Sequence, residues 1–125
     1  NRWVLELLSP QCDGTVDAAS TVTGNVVIEN GASLEGSMVR GPAIIGRNTR
    51  LVNCYVGPFT SIDHDCLIVD CEIEHSIVLE SCHIEARGQR IEDSLIGRNV
   101  HVHPAAVKPR AFKLVLGDHS RVGLL

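Results

Sequence analysis

The chain has 125 residues, 44% of them apolar but only 3% aromatic, and carries a net charge of −4. That length holds one domain with enough aliphatic mass for a core, and the interspersed charges leave no basic surface for nucleic acid and no polybasic or amphipathic segment for a membrane. Five cysteines, an odd number without CxxC spacing, argue against a disulfide scaffold or zinc ribbon and for reduced thiols in a cytoplasmic protein.

Asn1 to Leu8, with Trp3 on its apolar side, favours a short helix broken by Ser9 and Pro10. Residues 1–10 therefore read as a linker helix, too short to span a membrane and without a signal-peptide cleavage pattern. From Val16 an aliphatic recurs at strict sixes through Val22, Ile28 and Leu34, and small residues follow four positions later at Ser20 and Ala32. Ala43, Thr49, Thr60 and Ala106 hold the same place further on.

Four segments then superpose: Leu34 to Val39, Leu51 to Val56, Ile68 to Ile73 and Ile91 to Ile96. A third aliphatic follows six residues after each, at Ile45, Ile62, Leu79 and Val102. The first three units are spaced by 17 residues, and Ile91 comes 23 after Ile68, one coil plus six residues. Three short strands per coil enclose a triangular prism, in which each side points one aliphatic and one small corner residue inward. The expectation is an all-β, single-stranded parallel β-helix of hexapeptide repeats over 11–107, about 17 residues per coil. Its left hand comes from the resemblance of the hexapeptide motif alone. The five-residue side would stack Ser37, Cys54, Cys71 and Ser94 in one column of small corner fillers.

The period slips over His83 to Arg90, where Gly88 and two arginines suggest a loop bulging from a corner, either a mount for ligand chemistry or a plain exposed turn. Pro104 and Pro109 mark a change of direction into a tail at 108–125 that would cap the last coil or reach a neighbouring subunit. Flat coil faces favour assembly as a dimer or trimer, with Met38, Tyr55 and Phe59 as candidate contacts.

Six histidines invite a catalytic reading. His64, in Asp63-His-Asp65, and His75 occupy corner positions and are the general-base candidates if the chain is a hexapeptide acyltransferase using acetyl-CoA. Neither has an extended loop beside it to embrace an acceptor. His64 with His101 and His103 only loosely approximates an intersubunit metal site, so no metal ligand is assigned. Gly41-Pro42 and Gly57-Pro58 begin turns that precede no helix, and GxGxxG is absent, so no nucleotide site is assigned.

The runs Val39 to Gly46, Tyr55 to Ile62, Glu72 to Leu79 and Arg90 to Asn99, with Leu116 to Val122 at the close, resemble the C-terminal domain of long-form glucose-1-phosphate thymidylyltransferases. The resemblance covers nearly the whole chain. It implies a non-catalytic assembly or regulatory domain behind an N-terminal nucleotidyltransferase domain, which joins dTTP to glucose 1-phosphate with Mg²⁺. That domain's glycine-rich loop and metal-binding aspartates have no counterpart here, so no catalytic or cofactor residue carries over. Some relatives also acetylate sugar phosphates with the β-helix, but their HxxYxGD-like stretch is not recognisable.

Overall fold

The computed structural model describes residues 10–103. The expected linker helix at 1–8, the end of the coil region at 104–107 with Ala106, and the tail at 108–125 lie outside the described residues. The described residues form seventeen strands of two or three residues and no helix. Every strand pairs in parallel with the strand one coil away, which makes a β-solenoid of about 5 turns.

Three sheets result. Sheet A stacks β1 (Gln11–Cys12), β4 (Val26–Ile28), β7 (Ala43–Ile45), β10 (Thr60–Ile62), β13 (Ile77–Val78) and β16 (Leu95–Ile96). Sheet B stacks β2 (Thr15–Val16), β5 (Ser33–Glu35), β8 (Arg50–Val52), β11 (Leu67–Val69), β14 (His83–Glu85) and β17 (His101–Val102). Sheet C stacks β3 (Thr21–Thr23), β6 (Met38–Arg40), β9 (Tyr55–Val56), β12 (Glu72–Glu74) and β15 (Arg90–Glu92).

Each sheet sends one aliphatic column into the prism. Leu34, Leu51, Ile68 and Ile84 stand on one another in sheet B, Val39, Val56 and Ile73 in sheet C, and Ile28, Ile45, Ile62 and Val78 in sheet A, all essentially without exposure. Burying such a side chain fully stabilises the fold by about 1.5–3 kcal/mol, and a β-branched residue suits a flat two-residue strand.

The last coils correct the expected register. Ile91 pairs with Ile73 and not with Ile68, whose neighbour is Ile84. Val78 and Ile96 continue the Ile45 and Ile62 column, while Leu79 lies outside it and Val102 stands on Ile84. No eight-residue loop exists at 83–90, because His83–Glu85 and Arg90–Glu92 are strands and only 86–89 turns.

The cause is a set of corner changes that cancel. The turn from sheet C to sheet A loses one residue after Ile73 and again after Ile91, and the turn from sheet B to sheet C gains two around Arg87 and Gly88. Ile73 to Val78 and Ile91 to Ile96 thereby acquire the five-residue spacing that belongs to a different corner in earlier coils.

The corners turn through left-handed backbone. Asn48, Asp65, Ser81 and Asn99 at the A-to-B corner have φ between 50° and 62°, as do Asn53 and Asp70 at B-to-C. Asn and Asp tolerate this region best among residues with a Cβ. Phe59 and His75 adopt it at the C-to-A corner with φ of 59° and 50°; histidine shares the tolerance of Asn and Asp, whereas the bulk of Phe59 makes it strained.

Candidate functional site

Three small-residue columns line the corners inside the prism, and they hold most of the cysteines. Ala32, Thr49, Cys66, Cys82 and Val100 form one, Ser37, Cys54 and Cys71 the second, and Ala43, Thr60 and Ser76 the third, all buried. Ser94 follows Ser76 and not Cys71, since the Ser94 N–H donates to Ser76 Oγ at 3.1 Å. Hydroxyls in these columns bind the next coil: Thr49 Oγ1 donates to the Asp63 carbonyl at 2.6 Å and accepts the Cys66 N–H at 3.2 Å. Ser37 Oγ accepts the Cys54 N–H at 3.1 Å.

The thiols serve the same packing role. Burial pushes the Cys54 thiol up, and burial together with the neighbouring Cys54 pushes Cys71 up to about 12. A hydrogen bond with Cys82, added to burial, raises Cys66. The same hydrogen bond from Cys66 lowers Cys82, so the raised, enclosed thiols of Cys54, Cys66 and Cys71 are poor nucleophiles that fill space, while Cys82 is the more acidic member of its pair.

Outside the prism, the two candidate bases occupy different edges. His64 lies at the A-to-B corner, where its Nδ1 is 2.7 Å from Asp65 Oδ2 and its N–H donates to Asp63 Oδ1 at 2.7 Å. The hydrogen bond from His64 is the main cause that holds the Asp65 carboxyl below its ordinary value. A carboxylate on Nδ1 orients an imidazole so that Nε2 faces outward, which is the local arrangement of a general base. His75 lies at the C-to-A corner and rests against Phe59 with ring centroids 5.4 Å apart.

The one groove described runs along the remaining corner, between sheets B and C. It is open, about 690 Å³, and lined by Gly36, Asn53, Tyr55, Asp70, Glu72 and Arg87 among others. Asn53 Nδ2 donates to Asp70 Oδ1 at 2.7 Å on its wall. No histidine lines it, so the structure separates the acyltransferase candidates His64 and His75 from each other and from the groove. His101 lies near His83 on the outer face of sheet B, with centroids 5.7 Å apart, in the column that includes Leu67. Among the described residues no three His, Cys, Asp or Glu side chains converge on a point that could hold a metal.

Comparison with known proteins decides the lineage. The chain is 53% identical over 97% of its length to a glucose-1-phosphate thymidylyltransferase of Streptomyces griseus and 48% identical over 98% to one of Streptomyces antibioticus. It spans 34% of the length of each, the C-terminal third. This chain is homologous to the C-terminal third of proteins named glucose-1-phosphate thymidylyltransferase.

A more distant relative, the low-salt glycan biosynthesis nucleotidyltransferase Agl11 of Haloferax volcanii, is 35% identical over 99% of the chain and 35% of its own length. No protein-family model matches the chain. The four internal runs that carry the thymidylyltransferase resemblance prove to be one piece of successive coils. Each leaves sheet C, rounds the C-to-A corner and enters sheet A.

On this solenoid, the outer face of sheet A is the feature hardest to foresee. Val27, Ile44, Ile77 and Leu95 point outward in one column, interrupted only by Ser61, and Leu79 lies beside them; all are partly exposed. The other faces are more polar. Sheet C presents Arg90 to Glu74, Glu72 and Glu92, and Arg50 meets Glu35 at 2.6 Å on sheet B. Of the three contact candidates, Met38 is 44% exposed on sheet C, whereas Tyr55 and Phe59 are only partly exposed.

Proposed function

We propose that this chain is the non-catalytic assembly domain of a glucose-1-phosphate thymidylyltransferase of the cytoplasm. In this reading an N-terminal nucleotidyltransferase domain transfers the nucleotidyl group from dTTP to glucose 1-phosphate and releases pyrophosphate. The observation that carries it is the 53% identity to the Streptomyces griseus enzyme along 97% of this chain, over one third of that enzyme. Mg²⁺ would be held in the N-terminal domain, since the donors described here do not converge on a cation. The solenoid contributes a rigid prism that joins copies of the protein, because its coils are fixed by hydrogen bonds and packed aliphatics and have no interior space for a substrate.

The test compares two proteins: this chain alone, and the protein extended upstream by the coding sequence of its gene. Pyrophosphate release is measured with dTTP, glucose 1-phosphate and Mg²⁺. Activity in the extended protein and none in the chain alone is expected. The reading is overturned if the extended protein releases no pyrophosphate. It is equally overturned if the chain alone binds acetyl-CoA in calorimetry and acetylates a sugar phosphate with a rate lost in His64→Ala.

A further inference from the structure

Sheet B ends, among the described residues, on a pair of histidines. Strands β14 and β17 run parallel with His83 beside His101 and Ile84 beside Val102. The His83 N–H donates to the Val100 carbonyl at 3.0 Å, which fixes the two strands at that step. Buried Ile84 sets the parity, so both imidazoles leave the prism and both are exposed. Their ring centroids lie 5.7 Å apart, with the planes inclined at 47°. The corner histidines are engaged otherwise, His64 by the Asp65 carboxylate and His75 by the ring of Phe59.

The separation of the two rings is close to what a shared metal ion requires. A ring nitrogen binds Zn²⁺ at about 2.0–2.1 Å, which sets the ion about 3.2 Å from the ring centroid. Two imidazoles at the tetrahedral angle then have centroids about 5.2 Å apart. The 5.7 Å found here exceeds that by about half an ångström, which a small side-chain rotation of two exposed rings closes. Donor chemistry selects the ion: imidazole suits Zn²⁺, Ni²⁺ and Cu²⁺, whereas Mg²⁺ and Ca²⁺ take oxygen. No third side chain among the described residues converges on the same point, so water completes the coordination. Leu67, next down the column, offers no donor, and Glu85, two positions along β14 and so on the same face, adds a negative charge beside the pair.

We propose that His83 and His101 together bind a divalent transition-metal ion of the Zn²⁺ class on the outside of sheet B, bridging β14 and β17. The ion acts as a clip across one rung of the solenoid. Its two ligands are a full coil apart in the chain and meet only in the fold, so binding stabilises the folded state in proportion to the metal concentration. Strand β17 gains most from it, because among the described residues it pairs on one side only, with β14. This site is separate from the assembly reading above, and the failure of either leaves the other standing.

Calorimetric titration of Zn²⁺ into the reduced 125-residue chain tests this, in a Cys12→Ser background that removes the exposed thiol. The parent should bind at micromolar Zn²⁺ and its urea midpoint should rise when the ion is present. His83→Asn and His101→Asn should each weaken the affinity at least tenfold and abolish that rise, while His75→Asn should match the parent. Trace Ni²⁺, added as a paramagnetic probe, should broaden the ring proton resonances of His83 and His101 before those of His64 and His75. That order of broadening decides the matter if the asparagine variants do not fold. Binding only at millimolar Zn²⁺, an adventitious ion only, overturns the proposal. So does an affinity left unchanged by both substitutions, or broadening that begins at another histidine.

Discussion

Replacing Ile68 with alanine tests the layered core directly. Ile68 has no solvent exposure, stands between Leu51 and Ile84 in its column, and faces a prism walled by three hydrogen-bonded sheets. The substitution removes three carbon groups, about 0.8 kcal/mol each, or about 2.4 kcal/mol of lost transfer energy. The sheets hold their coil spacing, so little of the roughly 75 Å³ vacated can collapse, and half of it left empty adds about 1 kcal/mol. A total near 3.5 kcal/mol corresponds to a Tm lower by about 14 °C at about 4 °C per kcal/mol for a chain of this size. Thermal and urea unfolding followed by far-ultraviolet circular dichroism would measure it. Val22→Ala is the comparison, since Val22 is 39% exposed on the first complete coil and should cost under about 1 kcal/mol. Equal losses for the two variants would refute the claim that the prism interior is packed and unable to collapse.

Four further outcomes follow from the same structure. Thr49→Val removes the hydroxyl that accepts the Cys66 N–H and should cost about 1–3 kcal/mol in urea unfolding, whereas a loss below about 0.5 kcal/mol would show that the bond is dispensable. Gly46→Ala sets a Cβ 2.4 Å from the Asp63 carbonyl carbon of the next coil, so backbone must shift and stability should fall by about 1–3 kcal/mol; an unchanged Tm would contradict it. In a thiol titration of the folded chain Cys12, the one exposed cysteine described, should react at once and Cys54, Cys66, Cys71 and Cys82 only after unfolding. Asp17 is held below its ordinary value mainly by the Ser20 hydroxyl, aided by the Gly36 N–H, and Asp65 mainly by His64. Carboxyls depressed in the fold stabilise it above their unfolded pKa and lose that contribution as pH falls through the folded one, so stability should decline below about pH 4. Asp17→Asn should flatten that decline, and an unaltered acid limb would count against the assignment.

The coil was legible in the sequence because inward positions obey two constraints at once. An aliphatic must recur every six residues, and a small residue must precede it by two at each corner. Leu34, Leu51 and Ile68 satisfy both, and all three pair as the spacing implies. The pattern misled where two corners came to look alike. Ile91-Glu-Asp-Ser-Leu-Ile96 has the form of Leu51-Val-Asn-Cys-Tyr-Val56, yet it turns from sheet C to sheet A, and Leu51 to Val56 turns from sheet B to sheet C. Spacing alone does not reveal which corner has been shortened.

The apolar outer face of sheet A was hidden for a related reason. In Ile44-Ile45 and Ile77-Val78-Leu79 successive aliphatics belong to opposite faces, and side-chain type cannot say which of two isoleucines faces water. Parity settles it only once the register is known. The histidines show the reverse. His64 and His75 stood out by residue type and by similar places in their units, and the fold puts them on separate edges of the prism, neither of them lining the groove between sheets B and C.

Because each coil bonds only to the coils above and below it, the length of this solenoid is a variable independent of its cross-section. Inserting one 17-residue unit would lengthen the column by a single step of about 4.8 Å and leave every wall unchanged. The solenoid is in this sense a ruler with fixed graduations. Whatever stands at its two ends can be moved apart in evolution by counting repeats, without redesigning either end.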